Sequence, residues 1–243
     1  MKEGVILHPL SLFLSRCKIY SMYKLKITIR IIIIMLVFAC NREKLFVIKG
    51  KVHNAAFEGE KVYLVSSDAP VTKNVDSIEV KDGRFQFEIH SDSQTAKIIR
   101  IPPKYPDIVQ DLVVIPEEGT IEVELAQRSK GKGTPLNNCI QAWKQKKEMY
   151  DSIQWSLYRQ IKTACLSDSE KDSIESYINE TKDLFIDEVM CTIDSNLHNG
   201  IGLFLFKIYF HSFPAEFKNK VLSETGDLYF KKDKQLEKII RPN

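Results

Sequence analysis

Asp82-Gly83-Arg84-Phe85-Gln86-Phe87-Glu88-Ile89-His90 decides the fold of this chain. Phe85, Phe87 and Ile89 alternate with Arg84, Gln86, Glu88 and His90. That period of two makes a strand with one apolar and one wet face. Each apolar side chain gains roughly 1.5–3 kcal/mol by leaving water. An Asp-Gly pair tolerates positive φ, and Val75–Val80 comes just before it, so the stretch predicts a β-hairpin.

The same alternation continues on both sides. Phe46, Ile48 and Val52 define a first strand, and Val62 and Leu64 a second that begins after Glu58-Gly59. Ala96–Ile101 is stopped by Pro102-Pro103, which cannot extend a ladder. Ile108–Ile115 follows, then a turn at Pro116-Glu117-Glu118-Gly119, then Thr120–Ala126 with Ile121, Val123 and Leu125 on one face. Seven short strands joined by turns predict an antiparallel β-sandwich or partly open barrel. Parallel pairing is not expected, because no helix lies between the strands to make a crossover.

Past Ser129-Lys130-Gly131-Lys132-Gly133, read as a flexible basic link, the period changes to that of helices. Thr134 is a good N-cap and Pro135 suits the first helical position. Leu136, Ile140, Trp143, Tyr150, Ile153, Leu157, Ile161 and Ala164 recur at helical steps. Ser167-Asp168-Ser169-Glu170 is a capping box opening a second helix with Ile174, Ile178, Phe185, Val189 and Ile193. Asn199-Gly200 ends it, the apolar Ile201–Phe210 is expected to be buried against both, and Ser212-Phe213-Pro214 opens a fourth helix ending near Gly226. The charged tail Lys231–Asn243 is a last helix or a frayed end. The fold class is therefore α+β, an N-terminal antiparallel sandwich or partly open barrel followed by a helical domain.

The N-terminal part reads as an address. Ile31–Cys40 is an unbroken apolar run of ten residues preceded by Lys24, Lys26 and Arg30. A spanning helix needs about 20 residues, and a run of ~10–14 suits a signal core. The rival readings are an uncleaved anchor helix and a buried core helix. Leu36-Val37-Phe38-Ala39-Cys40 resembles the lipobox of bacterial lipoproteins, in which the cysteine is acylated and becomes the first residue of the mature chain. The resemblance implies lipidation at Cys40, a membrane as partner through that anchor, and a cell-envelope location. Met22 lies 18 residues before Cys40, a natural signal length, so Met1–Ser21 reads as an upstream extension.

The expected organisation is thus leader and signal 1–39, tether 40–44, antiparallel β domain 45–127, linker 128–134 and helical domain 135–243. The whole chain carries +3, but six basic residues and one acid precede Cys40, so the part from Cys40 onward carries −2. Nucleic-acid binding needs a clustered basic face, and this balance argues against it.

The order of Phe46-Val47-Ile48-Lys49-Gly50-Lys51-Val52, Val62-Tyr63-Leu64, Asp82-Gly83-Arg84-Phe85-Gln86-Phe87 and Gly133-Thr134-Pro135-Leu136-Asn137, behind a lipobox, resembles the DUF4369 family. These are N-terminal domains of exported bacterial lipoproteins, many of which carry a thioredoxin-like thiol-disulfide oxidoreductase domain after the helices. The resemblance implies no catalytic residues in the matching domain. The sequence has no Cys-x-x-Cys to take the family's redox role.

Other chemistry is weakly signalled. Gly131-Lys132-Gly133-Thr134 is not a phosphate loop: Ala126 stands where a glycine is needed, and Lys132 precedes glycine. His53, His90, His198 and His211 are dispersed and form no metal-ligand spacing. No Gly-x-Ser-x-Gly elbow occurs. Glu117-Glu118 reads as a solvated turn pair, and Trp143 and Trp155 as core or interdomain packing. Cys139, Cys165 and Cys191 leave one disulfide open; the favoured expectation is three small buried side chains on helices. No catalytic residue, metal site or cofactor is assigned. The expected role is a non-enzymatic binding or accessory module with an envelope protein as partner. The alternative is a truncated or split relative of the thiol-disulfide lipoproteins.

Overall fold

The computed structural model describes residues 44–67, 75–90, 93–225, 230 and 232–241. Eight strands come first: β1 (Leu45–Val52), β2 (Lys61–Ser66), β3 (Asp76–Glu79), β4 (Arg84–His90), β5 (Lys97–Arg100), β6 (Leu112–Val114), β7 (Gly119–Leu125) and β8 (Lys130–Lys132). Five α-helices follow: α1 (Pro135–Thr163), α2 (Asp168–Asp194), α3 (Gly200–Tyr209), α4 (Ala215–Glu224) and α5 (Lys234–Ile240). The expected α+β class holds. The strands form two open four-stranded sheets, β4-β1-β7-β8 and β3-β2-β5-β6.

The Asp-Gly turn is present, but its hairpin is not. Asp82 and Gly83 have φ of +52° and +66°, the signs a primed two-residue turn needs. The Glu58 carboxylate accepts from both of their amides, at 2.8 and 3.0 Å. The turn closes on a single bridge, Lys81 to Arg84. Past that bridge the strands enter different sheets. β3 is exposed along its whole length and offers β4 no apolar face. β4 pairs instead with β1, Phe46 opposite Ile89 and Ile48 opposite Phe87.

The expectation of an all-antiparallel domain fails at β1 and β7, which run parallel with Ile48 beside Ile121 and Gly50 beside Val123. A parallel pair needs a long crossover, usually a helix. Here the chain leaves the sheet after β1 for β2 and β3, returns as β4, and leaves again through β5 and β6, so strands of the opposite sheet supply the crossover. The expected linker also differs: Lys130–Lys132 is β8, paired antiparallel with β7.

Two cores result. Phe46, Ile48, Phe85, Phe87, Ile121 and Leu125 meet Val62, Leu64, Ile99 and Leu112 between the sheets. Gly50 is required here, because a Cβ at that position would fall inside the Phe85 ring. The second core joins Ile140, Val189, Ile193 and the fully buried run Gly200–Phe206. Ala96 and Ile115 from the β part belong to it as well. At Gly200 a Cβ would meet the Gln94 carbonyl, so helix and loop backbone touch directly. Both cores lie within residues 44–243, one compact unit of the chain.

The helix signals are borne out with one change. Ser167 and Glu170 form the reciprocal capping box. Thr134 is the N-cap of α1, yet its side chain makes no capping bond. Glu117 does that work across the junction, accepting from the amides of Leu136 and Asn137 at 2.7 and 3.1 Å. Its carboxylate charge suits the positive end of the helix. Glu117 is therefore a half-buried cap and not a solvated turn residue.

Candidate functional site

Cys40, with the leader and most of the tether, lies outside the described residues. The other expected positions are scattered. His53 is exposed and sits 3.2 Å from Glu124, while His90, His198 and His211 are exposed elsewhere. Among the described residues no three His, Cys, Asp or Glu side chains gather as a metal site. Cys139, Cys165 and Cys191 are free thiols. The expectation that all three are buried is corrected at Cys165 and Cys191, which are exposed. Cys165 lies between α1 and α2, where neither helix covers it.

A trough of about 1390 Å³ lies on the outer face of the first sheet. Period two builds it. The inward residues of β1, β4 and β7 fill the core, so the intervening residues all face one way. The register sets Lys51 beside Arg84 and Glu124, and Lys49 beside Gln86 and Glu122. Glu124 in turn faces Lys130, and Glu122 faces Lys132. The carboxylates are matched by β8: Glu124 to Lys130 at 2.9 Å and Glu122 to Lys132 at 3.6 Å. The Lys130 hydrogen bond chiefly holds the Glu124 carboxyl below its ordinary range. The side chains of Lys49, Lys51 and Arg84 have no ionic partner among the described residues. Lys61 of β2, Ile78 and Glu79 of β3, Gln145 of α1, and Lys81 also line it. Such a surface attracts anions. Sequence reasoning missed it, although Lys49, Lys51, Arg84, Lys130 and Lys132 all stand at polar-face positions of their strands.

A second feature is the helical hairpin. α1 has no fully buried residue beyond Gln141, and α2 none before Ile178. The far half of the pair therefore projects from the core. Trp143 packs edge-on to Phe204 and Tyr209 as expected of core. Trp155 does not: it is 69 % exposed and lines a cleft of about 300 Å³ with Asp151, Gln154, Tyr158 and Lys162. These positions lie one helical turn apart, on one stripe of α1. Tyr209 stays protonated far into alkaline conditions, because its hydroxyl is buried and Asp151 is nearby.

A strand-rich domain of this order, closed by the first turns of a helix, matches one family. Residues 46–140 match DUF4369, a domain of unknown function, and this segment of the chain is a DUF4369 domain. The match ends at Ile140, so it includes the Glu117–Asn137 junction but not the projecting hairpin. No curated protein and no solved structure matched the chain.

Proposed function

We propose that this chain is a cell-envelope lipoprotein, held through an acylated Cys40, that serves as a non-catalytic binding or accessory module for an envelope protein. The observation that carries the reading is the projecting hairpin with Trp155 and Tyr158 side by side in solvent. Trp and Tyr dominate the energetics of protein interfaces, and a Trp left 69 % exposed presents a large apolar area to a partner. The hairpin lies outside the DUF4369 segment, so the family domain supplies the platform and the helices supply the arm.

Two measurements test this. Mass spectrometry of the native protein is expected to show a chain beginning at an acylated Cys40, with the acyl signal lost in Cys40→Ser. A photo-crosslinking residue at position 155, in intact cells, is expected to give one defined adduct that the same probe at position 175 does not. An unmodified Cys40, or no adduct specific to 155, overturns the corresponding part. A robust turnover abolished by a single substitution would overturn the non-catalytic reading.

The second reading, which the family resemblance implies, is a truncated or split relative of a thiol-disulfide oxidoreductase lipoprotein without its thioredoxin domain. Reading the DNA beyond codon 243 for a Cys-x-x-Cys pattern separates the two.

A further inference from the structure

We infer that the outer face of the first sheet is a membrane-docking surface, on which Lys49, Lys51 and Arg84 bind the anionic lipid headgroups of the bilayer that holds the anchor. The inference rests on the anchored reading for the choice of ligand. The basic face itself stands on geometry. Seven basic and three acidic side chains line the trough, although the chain from Cys40 onward is net acidic. Lys130 and Lys132 neutralise Glu124 and Glu122. Lys49, Lys51 and Arg84 are left side by side to meet an outside anion.

The compensating negative charge is concentrated on α2, no residue of which lines the trough. α2 carries nine acidic and two basic residues. An anionic surface would attract the sheet and repel α2, which fixes one orientation: sheet towards the bilayer, helical arm away. Chain length agrees. Leu45, the first residue of β1, is five positions after Cys40. An extended chain covers at most ~3.3–3.6 Å per residue, so β1 begins within about 18 Å of the anchored sulfur. That tether is too short to lift the domain far from the headgroups.

The test uses residues 44–243, which contain both cores and lack Cys40. The readout is therefore independent of acylation. Binding is measured by co-sedimentation with vesicles of phosphatidylcholine and with vesicles in which phosphatidylglycerol replaces part of it. The expected result is binding to the second kind only, lost at about 1 M salt, where the screening length is ~3 Å. Each basic residue near such a surface is worth about five-fold in partitioning. The triple variant K49Q/K51Q/R84Q, checked for an unchanged melting temperature, is then expected to bind roughly a hundred-fold more weakly. Equal binding to both vesicles, or salt-insensitive binding by the unaltered protein, overturns the inference without recourse to any variant. Displacement by millimolar soluble glycerol phosphate also overturns it, assigning the trough to a small free anion. Failure of acylation at Cys40 with retained vesicle binding would sink the anchor and leave the docking face standing.

Discussion

Replacing Asn137 with alanine tests the joint between the two halves of the protein. Asn137 is 1 % exposed. Its Oδ1 accepts from the Ile115 amide at 2.9 Å, and its Nδ2 donates to the Ile115 carbonyl and to Thr134 Oγ1, both at 2.8 Å. One turn later Gln141 donates to the Val113 carbonyl at 3.1 Å. β6 is an edge strand, and an edge leaves a row of backbone groups to be satisfied. The two amide side chains of α1 occupy that row as a substitute strand. In N137A, the N–H and C=O of Ile115 lose their partners at a fully buried residue. Each such orphan costs about 1–3 kcal/mol. The expected loss is about 3–5 kcal/mol, a large part of the ~5–15 kcal/mol that holds a typical domain folded. For a chain of this size that is a fall in Tm of roughly 6–20 °C. The neighbouring N138A removes an exposed bond to the Gly133 amide and is expected to cost under about 1 kcal/mol. Urea unfolding of both variants, with hydrogen exchange at the Ile115 amide, gives the comparison. An N137A protein within about 1 kcal/mol of the parent, with Ile115 still protected, would refute the substitute-strand argument.

Three further outcomes follow from particular contacts. The pair Lys207–Asp233 is buried, at 8 % and 9 % side-chain exposure, and Asp233 also caps α5 through the amides of Gln235 and Leu236. D233A is expected to cost about 3–5 kcal/mol and D233N less, since the amide keeps a capping oxygen; equal losses in thermal unfolding would contradict this. Gly50→Ala places a methyl in the Phe85 ring, so it is expected to destabilise by at least ~1–3 kcal/mol, with partial rescue in G50A/F85L that a melting series would show. The Glu170 carboxyl is held below its ordinary range by the Ser167 hydroxyl and amide. Its contribution is therefore complete above the unfolded carboxyl range and disappears as pH falls through the lowered folded value. An NMR titration should find the midpoint below 4.5 and see it rise in S167A.

Seven of the eight strands, their inward residues and the helix starts were legible in the sequence, because each is a local matter; β8 was not, since Lys130-Gly131-Lys132 has no apolar alternation. Alternation at Arg84–His90 shows which side chains must leave water, and Ser167 with Glu170 shows where α2 begins. The trough was half legible for the same reason: Lys49, Lys51 and Arg84 announce a polar face, but only strand register makes that face a cation cluster. The exposure of Trp155 was legible only in part. It stands off the stripe that runs through Trp143, Ile153 and Leu157, yet periodicity cannot tell how far along α1 the core extends.

Local pattern by itself settled the α+β class, the apolar faces, the Asp82-Gly83 turn and the capping box, since propensity and period act over a few residues. Tertiary structure alone decided that β1 and β7 lie parallel, that β3 and β4 part company after one bridge, and that Glu117 instead of Thr134 caps α1. These are choices between partners distant in the chain. They depend on which apolar faces and unpaired backbone groups are close in space once the chain has collapsed, and no short window of residues carries that information.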